Sequence, residues 1–202
     1  MLRMKYLILL FILIQSASAQ EVIVVRHAQA QSNVEGFVNG SISRSFSNPL
    51  TDEGIQQAHN TAAELRERGY TDEKIAYVIV SPMFRTKLTA AILMQDLGID
   101  SKKEVEEILL SETNFGLKEY FSEKTSPGFD MHDRSKANDY LGETDKDVQE
   151  RTLLFLNRLR KFPQQKGAIL IVTHGGTGEV LLYYIRNQVT PLKNAQYYIE
   201  NL

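Results

Sequence analysis

Cysteine is absent from all 202 residues. That excludes disulfides, thiolate metal sites and a cysteine nucleophile together. Charge of one sign is also not in excess: 23 Lys and Arg stand against 25 Asp and Glu, a formal net charge of -2. No global electrostatic footprint for nucleic acid exists, so any anion site must be local and no nucleic-acid partner is expected. Internal repeats and low-complexity tracts are missing. No long membrane-spanning run is present either. The apolar segment Tyr6 to Ile14 falls short of the ~20 residues a helix needs to cross a bilayer. Arg3 and Lys5 precede that segment and Ala17-Ser18-Ala19 follow it, which is a signal-peptide pattern. An uncleaved anchor is the alternative, disfavoured by the short run. We therefore expect residues 1–19 to be a signal peptide cleaved after Ala19. Residues 20–202 then form a single domain, exported to a periplasm or secreted, with no stable membrane anchor after cleavage.

A chain that is 43% hydrophobic and 24% charged has enough apolar side chain for one sizeable core. Four apolar residues, Val22 to Val25, read as a buried strand that turns polar at once with Arg26 and His27. Ala28 to Asn48 lacks periodicity and reads as a long loop. Thr51 is an N-cap candidate with Asp52 and Glu53 in the first turn, and Ile55, Ala58, Ala62 and Leu65 follow at helical spacing up to Gly69. His59 lies in that helix as a surface or partly packed residue. Ala76 to Val80 is a second strand. Ser81-Pro82 then suggests a helix start, with Phe84, Leu88, Ala91, Ile92 and Gln95 on one face and an end near Gly98. Val105 to Leu110 reads as a third strand that ends at Ser111-Glu112. Lys118 to Gly142 loses periodicity and reads as an insertion or lid; its His132, Asp130 and Asp133 match no metal-ligand spacing. Asp145 to Phe162 is an amphipathic helix with Val148, Thr152, Phe155, Leu156 and Leu159 on its apolar face. Ala168 to Val172 is the most apolar strand of the mature chain, followed by Thr173-His174-Gly175-Gly176, a helical run from Glu179 to Arg186, and a short edge strand near Ala195 to Ile199.

Alternation of strands and helices implies an α/β fold, a mostly parallel sheet covered by helices on both faces. Polar residues at the strand ends then share one crevice, where open α/β sheets bind ligands. Arg26, His27, Arg85 and His174 converge there, with Glu112. Arg85 is informative because a cation in the first turn of a helix opposes the macrodipole, and an anion between Arg85 and Arg26 would explain it. Arginines offer planar forks of donors for phosphate oxygens, and a neutral imidazole is a nucleophile near physiological pH. Attack by His27 on phosphorus gives a phosphohistidine that water can hydrolyse. His174, Arg26 and Arg85 would balance charge on the phosphoryl oxygens, Asn33 could add a neutral donor, and Glu112 could serve as general acid and then general base.

These residues carry a resemblance. Arg26-His27-Ala28-Gln29 with Asn33, Leu50-Thr51-Asp52-Glu53-Gly54, Ser81-Pro82 with Arg85 and Thr89-Ala90, Glu112 with Phe115-Gly116, Gly142-Glu143 with Arg151, and Val172-Thr173-His174-Gly175-Gly176 resemble the histidine phosphatase superfamily in order along the chain. The closer likeness is to its phosphoglycerate mutase-like branch, branch 1. The resemblance implies a three-layer α/β/α sandwich without metal or cofactor. It also implies His27 as the phosphorylated nucleophile, Glu112 as proton donor, and Arg26, Arg85 and His174 around the phosphate.

Departures bear on the reaction. Ala28 replaces a common Gly, Lys118-Glu119-Tyr120 stands where Trp-Glu-Gly is frequent, and Gln29-Ala30-Gln31-Ser32-Asn33 replaces the Glu-Ser-x-Trp-Asn opening of mutases. Together with export, these features favour a phosphatase acting on a phosphorylated small molecule or macromolecule. A phosphoglycerate-type mutase and a non-catalytic phospholigand-binding protein are the alternatives.

Overall fold

The computed structural model describes residues 19–120 and 137–202. All of the expected signal peptide except Ala19, and most of the 118–142 insertion with His132, lie outside the described residues. Among the described residues, five strands form one sheet in the order β3-β2-β4-β1-β5. They are β1 (Glu21–Arg26), β2 (Ile75–Val80), β3 (Glu104–Glu106), β4 (Ala168–Thr173) and β5 (Tyr197–Asn201). Only β5 runs antiparallel, against β1. The main helices are α1 (Gln31–Glu35), α2 (Asp52–Glu67), α3 (Phe84–Leu97), α4 (Asp145–Lys161) and α5 (Gly175–Arg186).

The strand period of two divides the core between the two faces of the sheet. Ile23 and Val25 of β1, Val78 and Val80 of β2, and Leu170 and Val172 of β4 pack with Ala62 and Leu65 of α2 and Ala90, Leu93 and Leu97 of α3. Val22, Val24, Ile169 and Ile171 face the other way, onto Phe155, Leu156 and Leu159 of α4 and Leu181 and Leu182 of α5. This is the expected three-layer α/β/α sandwich. Each such Leu or Ile removed from water contributes about 1.5–3 kcal/mol, so near-continuous apolar runs such as Ala168 to Val172 belong in the middle of the sheet. β1 and β4 are neighbours whose onward helices cover opposite faces. Their carboxyl ends therefore border a topological switch point.

Several local expectations need correction. The Ala28–Asn48 segment is not uniformly irregular: it holds α1 and a 3₁₀ segment at Ile42–Ser47. Ser81 does not cap α3, whose N-cap is Met83 without a side-chain bond. The buried face of α3 is Arg85, Thr86, Thr89, Ala90, Leu93, Met94 and Leu97, rotated from the expected stripe. The polar members have interior partners: Thr89 Oγ1 accepts from the Ala28 amide at 3.1 Å, and Thr86 Oγ1 donates to Ser81 O at 2.9 Å. Leu88 and Ile92 pack instead against a small cluster with Ala28, Leu50 and Ala58. Ile55 of α2 is exposed. The expected 105–110 strand stops at Glu106, because Glu107 accepts from the Leu109 amide at 3.0 Å and starts a 3₁₀ turn at Ile108–Leu110. α5 begins at Gly175, four residues earlier than expected. His59 is a surface residue paired with Asp96, Nδ1 to Oδ2 at 2.6 Å.

Candidate active site

Strand pairing continues one step past the strands and sets the floor of the site. The His27 amide donates to Thr173 O at 2.8 Å and the Ser81 amide to Val172 O at 3.1 Å. His27, His174 and Ser81 therefore emerge from adjacent strand ends. His27 is buried, and its Nδ1 lies 2.7 Å from Ala28 O. A carbonyl only accepts, so Nδ1 carries the proton. Arg85 Nε reaches His27 Nε2 at 3.1 Å, and a guanidinium only donates, so Nε2 holds the lone pair. Both contacts select the same neutral tautomer. Burial, then the Arg85 charge, push the His27 pKa well below its ordinary value, against the Ala28 bond that favours the charged form; Arg26 lowers it further.

The His174 ring meets His27 edge-on at 5.2 Å between centroids, and its Nε2 pairs with Ser81 Oγ at 2.8 Å. Burial and then Arg85 hold its pKa well below the ordinary value too. His174 Nδ1 and Arg26 Nε are buried side-chain atoms without a hydrogen-bond partner among the described residues. Leaving such groups unmatched costs about 1–3 kcal/mol each, a cost an anion would offset.

Arg85 is only 3% exposed. Besides His27 it donates to Asn39, Nη1 to Oδ1 and Nη2 to the carbonyl, both at 2.9 Å. Arg26 donates to Leu192 O at 2.9 Å. Burial lowers the pKa of Arg85 to about 10, with Glu112 opposing and Arg26 adding. Arg26 is lowered by burial as well, against Glu112 and Glu179. Neither guanidinium forms an ion pair with a described carboxylate. A buried cation and a partly buried one lining the same cleft point to an anionic ligand.

Glu112 reaches the site from the 3₁₀ turn rather than from a strand end. Its Oε1 accepts from the Thr113 amide at 2.9 Å and its Oε2 from the Gly176 amide at 3.4 Å. A Cβ on Gly176 would lie 2.9 Å from Glu112 Oε1, and one on Gly175 3.1 Å from Arg26 Cζ. The two glycines therefore admit these side chains to the start of α5. Arg151 braces the Glu112 segment by pairing with Glu143 at 2.7 Å and donating to Leu109 O at 2.7 Å and to Thr177 Oγ1 at 3.3 Å. Thr177 in turn donates to Ser111 O at 2.6 Å. Asn33 lines the same cleft, with Oδ1 engaged by the Ala30 amide at 2.9 Å and Asn194 Nδ2 at 3.1 Å. Its Nδ2 is the donor left for a ligand.

Sequence reasoning missed Asn39, Glu119 and the true partner of Ser81. Glu119 is buried, and its carboxylate accepts from the amides of Gly40 at 3.0 Å, Ser41 at 3.1 Å and Phe115 at 3.2 Å and from Ser41 Oγ at 2.8 Å. Arg44 donates to the Glu119 carbonyl. Glu119 thus clamps the segment carrying Asn39 to the segment carrying Glu112. Its one sequence signal was survival of the Glu where the neighbouring family residues change. Removing the clamp in Glu119→Ala should cost about 2 kcal/mol or more, since three amides lose their acceptor. A denaturant titration checks this through its midpoint.

The histidine shifts also set a pH dependence. Unfolded histidines take up protons near pH 6.5, whereas His27 and His174 resist protonation in the fold. Below about pH 6.5 the unfolded state binds more protons, so their contribution to stability is present above that pH and lost as pH falls toward the folded values. Urea midpoints should decline from pH 7 toward pH 5, and less steeply in His174→Asn. Equal slopes would contradict this assignment.

Arg26, His27, Asn33, Arg85 and Glu112 line one cleft of ≈ 510 Å³; His174 is fully buried beside His27 and does not form its wall. The family described as "Histidine phosphatase superfamily (branch 1)" matches residues 22–200. A curated relative, "Probable phosphoglycerate mutase GpmB" of Escherichia coli, is 29% identical over 163 residues, covering 77% of this chain and 69% of its own. The alpha-ribazole phosphatase structure from Shigella flexneri superposes with a TM-score of 0.69 at 24% identity, over 89% of each chain. The phosphoglycerate mutase structure from Bacillus anthracis gives 0.68 at 18% identity, over 93% of this chain and 91% of that one. At these identities the structures establish the common fold. With a family match spanning both strand-end histidines and every arginine of the cleft, the chain belongs to the histidine phosphatase superfamily, branch 1.

Proposed function

We propose that this protein is a phosphatase that hydrolyses phosphomonoesters through a phosphohistidine on His27. The observation that carries the reading is the double lock on His27. Nδ1–H is spent on Ala28 O and Nε2 is left as a lone pair beside the buried Arg85, in a cleft that the partly buried Arg26 also lines.

The steps follow from the donors present. Substrate phosphate takes an Arg26 N–H and the Asn33 amide, while His174, whose Nε2 accepts from the Ser81 hydroxyl, backs His27 from behind the cleft wall. Arg85 transfers its Nε–H from His27 to a phosphoryl oxygen, which frees the lone pair. His27 Nε2 forms the N–P bond as the ester P–O bond breaks, and the departing oxygen takes the proton of the Glu112 carboxyl. Glu112, now a carboxylate, then removes a proton from water. The water oxygen bonds to phosphorus as the N–P bond breaks. This regenerates neutral His27 and protonated Glu112 and releases inorganic phosphate. The arginines stabilise charge on the transferring group throughout, the largest single contribution in phosphoryl transfer.

The mutase reading draws on the name of the curated relative. Turnover in ¹⁸O-water separates the two. Hydrolysis places ¹⁸O in inorganic phosphate at every turnover; conversion of 3-phosphoglycerate to 2-phosphoglycerate without phosphate release would favour the mutase. We further propose that residues 1–19 direct export, on the strength of their basic, apolar and small-residue order. Cell fractionation with and without those residues tests it.

A further inference from the structure

Around the phosphate end, the cleft changes character. Phe37, Val38 and Phe115 line it together with Glu112 and Glu179. His27 and Arg85 are buried, whereas Phe37, Phe115 and Glu179 are partly exposed, so the rings and the second carboxylate stand further out than the nucleophile. Glu179 is fixed there, its Oε1 accepting from the Leu192 amide at 3.2 Å. Leu192 O also holds Arg26, so carboxylate and guanidinium are set by one residue. The cations lining the cleft among the described residues, Arg26 and Arg85, both belong to the phosphate end.

From this distribution we infer that the preferred substrate is a small phosphomonoester whose alcohol is uncharged and carries a ring. The inference rests on the phosphatase reading above and adds the substrate class. A phosphate dianion is balanced by the two arginines. A second anion on the alcohol finds no further cation among the described cleft residues and meets the field of Glu179, a repulsion that at partly desolvated distances amounts to tenfold or more in affinity. A flat apolar group instead covers Phe37 and Phe115, which gain from offset or edge-on ring contact and from excluding water. Glu179 and the two phenylalanines are thus specificity-determining residues. The phosphate machinery itself is indifferent to the alcohol.

Three primary alkyl esters with similar leaving groups provide the test: 2-phenylethyl phosphate, ethyl phosphate and 3-phosphoglycerate. We expect kcat/KM for 2-phenylethyl phosphate to exceed that for ethyl phosphate by about tenfold, and that for 3-phosphoglycerate by about a hundredfold. Phe115→Ala and Phe37→Ala should each bring the phenylethyl-to-ethyl ratio down toward one, with Phe115→Leu intermediate as the variant that keeps apolar volume. Glu179→Gln should narrow discrimination against 3-phosphoglycerate about tenfold. Hydrolysis of all three esters at equal efficiency, or a preference for 3-phosphoglycerate, would overturn the inference and leave the hydrolytic mechanism standing. Absence of turnover with all three would overturn both.

Discussion

Replacing His27 by alanine is expected to lower kcat by about 10⁴-fold or more, because the variant has no atom to accept the phosphoryl group and no neighbouring side chain supplies one. His174 is too committed to substitute. Its ring centroid lies 5.2 Å from that of His27, and its Nε2 is held by Ser81 Oγ at 2.8 Å. Folding should survive, since the loss is one hydrogen bond to Ala28 O and the acceptor for Arg85 Nε–H, about 1–3 kcal/mol each, within the stability of a domain of this size. Added imidazole should restore part of the turnover by entering the space the side chain leaves. Circular dichroism and kinetics with and without imidazole measure these effects. A loss of activity that matches loss of fold would point to a packing role instead.

Arg85 carries the second large effect. Its guanidinium donates through three nitrogens, to His27 Nε2 and twice to Asn39, a fork that a lysine ammonium does not reproduce. Arg85→Lys should therefore lose about 10²–10³ in kcat/KM, the range for one preorganised donor of developing charge. The stability effect has the opposite sense. A guanidinium 3% exposed, without an ion-pair partner among the described residues and facing Arg26, is costly to bury. Arg85→Met should therefore be no less stable than the wild type without ligand. It should also lose most of the stabilisation that phosphate gives the wild type, which amounts to about 2.7 kcal/mol at a hundredfold excess over Kd. Thermal transitions with and without inorganic phosphate test this. A Met variant that is unstable without ligand, yet equally responsive to phosphate, would contradict it.

The layers and the convergence of Arg26, His27, Arg85, Glu112 and His174 were legible because they depend on short signals: apolar runs that end abruptly in a cation, an imidazole or a glycine pair. The α4 stripe, Val148, Thr152, Phe155, Leu156 and Leu159, is buried as its spacing indicates. α3 was misread because a hydrophobic stripe assumes that polar residues face water. Here Arg85, Thr86 and Thr89 turn inward to bond His27, Ser81 and the Ala28 amide. Ser81 has the composition of a helix cap, and only its neighbour across the sheet, His174, shows its different use. Asn39 lies in a loop and Glu119 in a 3₁₀ segment, Gly116–Tyr120, both aperiodic in sequence, and their partners 46 and 79 residues away at Arg85 and Gly40 leave no local pattern. Glu112 was rightly brought to the cleft, but by a 3₁₀ turn whose start depends on a single Glu107 side-chain bond.

Rapid-quench trapping of the phosphoenzyme tests the central claim most directly. Wild-type protein mixed with a ³²P-labelled phosphomonoester and quenched in alkali should carry label that acid removes, within the first turnover, on the peptide containing His27. His27→Ala should carry none. Label on another residue, or undiminished turnover by His27→Ala without any acid-labile intermediate, would contradict the account.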